Sequence, residues 1–333
     1  MLYSLIRPLI FTLDAETAHE ATLELLDDLR WLIPRTRIRR PRRVMGLNFP
    51  NPVGLAAGLD KNGDHLRGLS HLGFGFIEVG TVTPRPQPGN PKPRLFRLRR
   101  ERSIINRMGF NNAGVDHLLN NLEHLPPRDF ILGINIGKNL STPVERALDD
   151  YRLAMERVYT AADYITLNIS SPNTPGLRRL QDDDALRQLL EGITETRKQL
   201  QDRHQVQRPL ALKVAPDLDG DQIAVIADLL HEYGIDGLIA TNTTLDRSAV
   251  AGHPLAEEAG GLSGAALRDR SREVLVRFRE RLGDSIPIIS VGGIDSPEEA
   301  RLRFELGASL IQIYSALIYE GPGLVRRILR AIN

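Results

Sequence analysis

The chain reads as one α/β protein, a (β/α)8 TIM barrel with a small N-terminal helical extension. Three observations predict this. Eight short apolar runs recur along the chain, with helical patterns between them. Most are continuously hydrophobic rather than alternating, as parallel strands buried on both faces are. The length, 333 residues, is normal for a single barrel of this kind. A doubly wound sheet is the structural alternative.

The predicted strands are residues 52–57, 74–81, 131–137, 162–168, 210–215, 237–242, 287–292 and 310–315. Ahead of them, residues 14–32 read as an amphipathic helix, with Ala18, Ala21, Leu25, Leu29 and Leu32 near one face. Residues 3–13 form a shorter apolar piece that Pro8 breaks. A helix is expected over 143–159, capped by Ser141 and Thr142, and another over 182–200, with Leu186, Leu189, Leu190 and Ile193 on one face. Ser296 and Pro297 open a further helix, and Gly321-Pro322 precedes the last. Two insertions stand out, 84–110, which ends in a hairpin, and 244–264.

Bulk composition mainly excludes. The apolar fraction of 41% and charged fraction of 26% are ordinary for a globular chain. A net charge of +1 gives no global field for nucleic acid. The local distribution is uneven, since residues 30–43 hold seven arginines and residues 14–28 are acidic. With no cysteine, thiolate metal sites, iron–sulfur clusters and cysteine acids or bases are all ruled out. No apolar run approaches the roughly 18 residues a membrane-spanning helix needs.

The most informative stretch is Asn168-Ile169-Ser170-Ser171-Pro172-Asn173-Thr174-Pro175-Gly176. It follows the apolar run Tyr164-Ile165-Thr166-Leu167 and puts two amides and three hydroxyls on a proline-stiffened loop. Amides suit flat polar rings, whereas a hydroxyl acts as base or nucleophile only when activated. Ser, Pro, Asn and Gly are also ordinary turn formers. The other strand ends decide between these readings. They carry Gly58 and Lys61, Thr81, Asn135, Lys213, Thr241 with Asn242 and Thr243, Gly292 with Gly293, and Tyr314 with Ser315. In a barrel all of these converge on one face. No carboxylate pair or histidine cluster is among them, so glycosidase chemistry fits poorly and no metal site is expected. Glycines after strands seven and eight, with Gly261-Leu262-Ser263-Gly264, favour a phosphorylated cofactor bound by backbone N–H groups.

Together with three longer motifs, these residues resemble the quinone-dependent (class 2) dihydroorotate dehydrogenases, flavoenzymes of de novo pyrimidine (UMP) synthesis. The motifs are Gly54-Leu55-Ala56-Ala57-Gly58-Leu59-Asp60-Lys61, Gly80-Thr81-Val82-Thr83-Pro84-Arg85-Pro86-Gln87-Pro88-Gly89-Asn90, and Asn106-Arg107-Met108-Gly109-Phe110-Asn111-Asn112. The likeness runs nearly end to end. It implies a barrel over 41–333 holding FMN through Ala57, Gly58, Leu59, Asp60, Lys61, Thr81, Asn135, Asn168, Lys213, Thr241, Gly264, Gly293, Tyr314 and Ser315. It implies a substrate pocket from Lys61, Asn106, Arg107, Met108, Gly109, Phe110, Asn168, Asn173, Asn242 and Thr243, with Ser171 at the catalytic base.

The implied reaction oxidises dihydroorotate to orotate. A proton leaves C5 to Ser171, a hydride passes from C6 to flavin N5, and a membrane quinone is the final acceptor. Lys61 is the candidate partner of the substrate carboxylate. Asn106, Asn168, Asn173 and Asn242 offer the donors and acceptors the ring needs, and buried amides left unmatched would each cost about 1–3 kcal/mol. Lys213 would stabilise an anionic reduced ring. Serine is a weak base, so Ser171 is read as a relay, with Thr174 as the next stop and Phe110 walling the site.

In the resembled family, residues 1–40 form the entrance for the quinone. The expectation is a helical pair lying in the cytoplasmic face of the cell membrane, peripheral rather than spanning, with arginines 35–43 near anionic headgroups. The bland reading is two helices packed on the barrel's side. The chain is taken as a monomer, although sequence gives no handle on oligomeric state. A dihydrouridine synthase acting on RNA is the nearest rival, but such enzymes use a cysteine acid. A nucleic-acid-binding module built on the arginine cluster would leave the strand ends unexplained.

Overall fold

The computed structural model describes residues 2–32 and 36–332. Arg35, the first arginine of the expected headgroup-facing cluster, lies outside the described residues. Helices α1 (Leu2–Ile10) and α2 (Ala15–Asp28) come first, followed by the hairpin β1 (Arg42–Val44) and β2 (Leu47–Phe49). The barrel begins with β3 (Val53–Leu55), α3 (Leu66–Ser70) and β4 (Phe76–Val82). The first insertion carries β5 (Leu95–Leu98) and β6 (Ser103–Asn106). Then follow α4 (Val115–Glu123), β7 (Ile131–Ile136), α5 (Ala147–Val158), β8 (Tyr164–Asn168), α6 (Asp183–His204), β9 (Leu210–Val214), α7 (Gly220–Glu232) and β10 (Gly237–Ala240). The second insertion contributes β11 (Gly261–Gly264). The chain closes with α8 (Arg268–Leu282), β12 (Ile288–Val291), α9 (Pro297–Glu305), β13 (Leu310–Ile313), α10 (Ser315–Glu320) and α11 (Gly323–Ala331).

Strands β3, β4, β7, β8, β9, β10, β12 and β13 close in sequence order into one barrel, every pair parallel. The eight runs read from sequence are these eight strands, and closure excludes the doubly wound alternative. Large side chains fill the interior, and glycine makes room for them. A Cβ on Gly54 would meet the Phe76 ring at 2.3 Å, and one on Gly133 the Tyr164 ring at 2.2 Å. The β1–β2 hairpin plugs the N-terminal end, where Val44 and Phe49 join Phe76, Ala211, Ile239 and Leu310 in one buried cluster. The opposite end stays open for the site.

The hairpin predicted in the first insertion is β5–β6, and β11 from the second insertion adds a third antiparallel strand to it. Elsewhere the helix starts need correction. The expected cap at Ser141 and Thr142 does not form. Thr142 Oγ1 accepts from Arg85 and its carbonyl from Lys138, so a single 3-10 turn intervenes and α5 begins only at Ala147. Pro8 lies inside α1 instead of breaking it. Ser296 caps α9 with Pro297 at its first position, as read.

Helix α2 starts at its Asp14 cap but ends at Asp28, with a separate 3-10 turn over Arg30–Leu32. Its docking is largely polar. Glu16 pairs with Arg94 at 2.7 Å, and Asp27 accepts from Gly68 N and pairs with His65 Nδ1. Ala18 and Leu23 face inward, but Leu25 is 52% and Leu32 57% exposed, so the predicted apolar stripe does not pack on the barrel. No helix among the described residues is long and apolar enough to cross a membrane.

Candidate active site

The C-terminal strand ends and the loops beyond them line an open cup. Ala57, Gly58 and Lys61 reach it from the loop after β3, and Thr81 from β4. Asn168 ends β8, and Ser171, Pro172 and Asn173 follow on its loop. Lys213 of β9, then Thr241, Asn242 and Thr243 beyond β10, complete one wall. Asn106, Met108, Gly109 and Phe110 cover the cup from the inserted hairpin. The loop of Ser171 is tied to that cover, since Asn173 Nδ2 donates to Asn106 Oδ1 at 3.1 Å.

One end of the cup is built almost without side chains. Gly264, Gly292, Gly293, Tyr314 and Ser315 meet there. Gly293 has φ +70°, and a Cβ on it would lie 2.4 Å from Arg268 Cα. Gly264, at φ +95°, would collide with the Arg102 carbonyl oxygen at 2.4 Å. Only glycine fits either position, which leaves bare backbone for an anionic group. Ser315 Oγ and Ser263 Oγ hydrogen-bond at 2.8 Å beside it.

The charges are sparse and placed. Burial pushes Lys61 down to about 8, with the Arg94 cation adding and Glu16, Asp60 and Glu20 opposing. Burial also lowers Lys213, while the Glu78 carboxylate beneath it opposes. His19 of α2 lies close enough to Lys61 to feel its charge and is held down at about 4, chiefly by burial, so it is neutral near pH 7. Asp295 reaches the cup but is neutralised by Arg268 at 2.8 Å and Arg102 at 3.4 Å.

Ser171 is buried, and its Oγ accepts the main-chain N–H of Asn173 at 3.2 Å. Neither a carboxylate nor a histidine hydrogen-bonds it among the described residues, so the hydroxyl has no strong base to activate it. Thr174 Oγ1, three residues on, is buried without a hydrogen-bond partner.

Four expected site residues do not line the cup. Asp60 turns down to accept from Asp64 N at 3.0 Å and His65 N at 2.9 Å, and burial lifts its carboxyl to about 6. Leu59 is buried in the hydrophobic core. Arg107, just past the end of β6, turns outward to Glu258 and lies over the Phe96 ring, while its neighbours Asn106 and Met108 line the cup. Asn135 sits beneath the cup, fully buried, where it accepts from Thr81 Oγ1 at 2.6 Å. Sequence reading also missed residues. Gln312 lines the cup two positions before Tyr314, as strand alternation could have shown. Arg102, Ser263 and Tyr319 arrive from elements whose placement no local pattern announces.

Fold and cup together define a (β/α)8-barrel enzyme with one polar, partly glycine-walled cup at the C-terminal end of its strands. The family model described as "Dihydroorotate dehydrogenase" matches residues 41–333. A "Dihydroorotate dehydrogenase (quinone)" of Chromobacterium violaceum is 58% identical, covering 99% of this chain and 97% of that protein. Its namesake in Methylobacillus flagellatus is 55% identical over the whole of both chains. The crystal structure of ligand-free DHODH from Eimeria tenella superposes with a TM-score of 0.89 at 39% identity, covering 96% of this chain and 94% of that one. This chain belongs to the dihydroorotate dehydrogenase family.

Proposed function

We propose that this chain oxidises dihydroorotate to orotate in pyrimidine biosynthesis, with FMN as resident cofactor and a quinone as electron acceptor. The observation that carries this reading is the convergence of Lys61, Ser171 and the amides of Asn106, Asn168, Asn173 and Asn242 on one cup, in a chain of this family. The residues fit a flavin mononucleotide. The glycine-walled end suits its phosphate, and the Lys213 ammonium and the buried, unpartnered Gln312 Oε1 are available to a polar ring. A bound flavin brings two-electron acceptance and release to a quinone.

The chain's own residues bind, orient and move a proton. Lys61 supplies the cation for the substrate carboxylate, worth more in a desolvated cup than in water. The four asparagines match the ring's carbonyl and N–H groups, and Phe110 and Met108 exclude solvent above it. Ser171 Oγ takes up the C5 proton, and its hydroxyl hydrogen passes outward, with Thr174 as next acceptor. Lys213 holds positive charge against the ring that gains electrons.

Residues 1–40 serve as a membrane-associating quinone entrance beside the catalytic barrel of 41–333. Support comes from exposed Leu5 (75%) and Leu9 (73%), one helical turn apart on α1, and exposed Trp31 (74%). Phe11 of this segment packs edge-on against Tyr319 at 5.6 Å, and Tyr319 lines the cup. The proposed location is peripheral, at the cytoplasmic face of the cell membrane, with a monomer as the working unit.

The deciding experiment mixes purified protein anaerobically with dihydroorotate, follows the flavin absorbance, and then adds a short-chain ubiquinone. Bleaching followed by quinone-driven recovery is the expected result. A yellow protein that dihydroorotate leaves unbleached would overturn the substrate assignment.

A further inference from the structure

Only two charged residues occur in the eight barrel strands, Glu78 in β4 and Lys213 in β9. Lys213 reaches the cup, whereas Glu78 lies below it, 1% exposed. Glu78 Oε2 accepts from Tyr164 Oη at 2.9 Å and Gln312 Nε2 at 2.8 Å. Glu78 Oε1 accepts from Asn135 Nδ2 at 2.8 Å. From there a file of hydrogen bonds climbs to the site, branching at its top through Ser170, whose N–H and hydroxyl donate to Asn168 Oδ1 and whose Oγ accepts from Asn242 Nδ2 at 3.0 Å. Thr81 Oγ1 donates to Asn135 Oδ1 at 2.6 Å, Asn168 Nδ2 donates to Thr81 Oγ1 at 2.8 Å, and Asn242 Nδ2 donates to Asn168 Oδ1 at 3.3 Å.

Every bond in the file points downward, and the reason is chemical. An ionised carboxylate can only accept, so Asn135 must show it the amide nitrogen. Asn135 Oδ1 then faces Thr81, whose one hydroxyl hydrogen is used on it. Thr81 is left only lone pairs to offer, so Asn168 must present Nδ2 and keep Oδ1 for Asn242. Lys213 is the other charge of the barrel strands, and the Glu78 carboxylate favours its charged form.

We propose that Glu78 is a positioning residue: as the acceptor at the foot of this file, it sets which amide face of Asn168 meets the substrate ring, whereas Asn242 is oriented locally by the Thr243 N–H that its Oδ1 accepts at 2.8 Å. The inference rests on the cup binding the orotate ring. It assigns Glu78 no contact with substrate.

Glu78→Gln is nearly isosteric and tests this directly. A glutamine would keep its oxygen on the side of the two donors Tyr164 and Gln312 and turn its NH2 toward Asn135. The file can then reverse, leaving Asn168 with the wrong face upward. The readout is orotate affinity of the holoenzyme, taken from the perturbation of flavin absorbance, with flavin content and Tm measured alongside. Glu78→Gln is expected to weaken orotate by about tenfold or more, the scale of one misdirected buried hydrogen bond. Tyr164→Phe removes a different bond to the same carboxylate. It should lower Tm while holding orotate affinity within about threefold.

Wild-type affinity in a flavin-loaded Glu78→Gln protein, or an equal loss in Tyr164→Phe, would overturn the proposal. If the wild-type holoenzyme itself ignored orotate, the substrate reading would fall instead. A neutron structure of the wild-type holoenzyme reads the file independently of ligand and of variant folding. Glu78 without a deuteron and Asn168 with its ND2 group toward Thr81 are expected; a deuterated Glu78 or the opposite amide would refute it.

Discussion

Ser171 Oγ accepts the backbone N–H of Asn173 at 3.2 Å, and that bond orients the hydroxyl without making it a base. On the proposed reading this serine relays a proton, a contribution of the order of positioned proton transfer, about 10²–10⁴-fold in rate. Ser171→Ala should therefore bind dihydroorotate with near-normal affinity while flavin reduction in stopped flow slows by roughly that factor. Reduction within tenfold of wild type would remove Ser171 from the proton path.

Lys61 titrates near enough to neutrality to shape the pH profile. Its folded value of about 8 means the ammonium is present below that pH and lost above it. The substrate carboxylate needs the ammonium, so kcat/KM should fall as pH rises through about 8, the free-enzyme value. Lys61→Met should lower kcat/KM by roughly 10- to 100-fold, as loss of a charge-assisted hydrogen bond of about 1.5–3 kcal/mol does, and should flatten this alkaline limb. A limb that persists in the variant would assign it to another group.

The glycine-walled end makes a prediction about cofactor retention. In Gly293→Ala the new methyl meets Arg268 Cα at 2.4 Å with φ at +70°, strain of about 1–3 kcal/mol that must be relieved by moving the loop. Purified Gly293→Ala should carry a substoichiometric complement of flavin. A full complement would place the phosphate elsewhere.

Helix α2 is held by a buried ion pair, so its docking depends on pH and on both partners. Burial alone would raise Glu16, but the hydrogen bond and charge of Arg94, with Lys92, hold its carboxyl below the ordinary 4.5. Its stabilisation is full above that unfolded value and drains away as pH falls through the lower folded one. Arg94→Met leaves the carboxylate only the exposed Lys92 ammonium at 3.4 Å and should cost up to about 3–5 kcal/mol, read as a lowered Tm at pH 7 that recovers in part when Glu16 is also made Gln. No change in Tm would mean that α2 is held by other contacts.

The exposed leucines of the N-terminal segment bear on the quinone and not on dihydroorotate. Replacing Leu5, Leu9 and Trp31 with Ser should weaken co-flotation with anionic vesicles and raise KM for a long-chain quinone. Reduction of the flavin by dihydroorotate should stay unchanged. Vesicle binding equal to wild type would dismiss the membrane role of this surface.

Much of this was legible locally. Strands buried on both faces announce themselves as unbroken apolar runs, which is why all eight were found, and strand ends named most of the cup. Arg107 and Asp60 were misplaced because motif neighbours need not share a direction. Arg107 lies just past the end of β6, where no strand period sets its direction, and a turn uses the Asp60 carboxylate to satisfy its own N–H groups. The apolar stripe of α2 stays exposed except at Ala18, since periodicity marks an apolar face without saying what covers it.

The amino-acid sequence by itself determined the fold class, the polar character of the strand ends, the absence of any thiol chemistry and the family resemblance. These follow from residue type and short-range spacing, which a linear chain displays in full. Only the tertiary structure decided that α2 docks through Glu16 and Arg94, that β11 joins the hairpin over the cup, and that Glu78 stands beneath Asn135. Each of those pairs residues 57 or more positions apart. Such contacts exist only once barrel closure has brought distant strands together, and no local pattern encodes which groups will then meet.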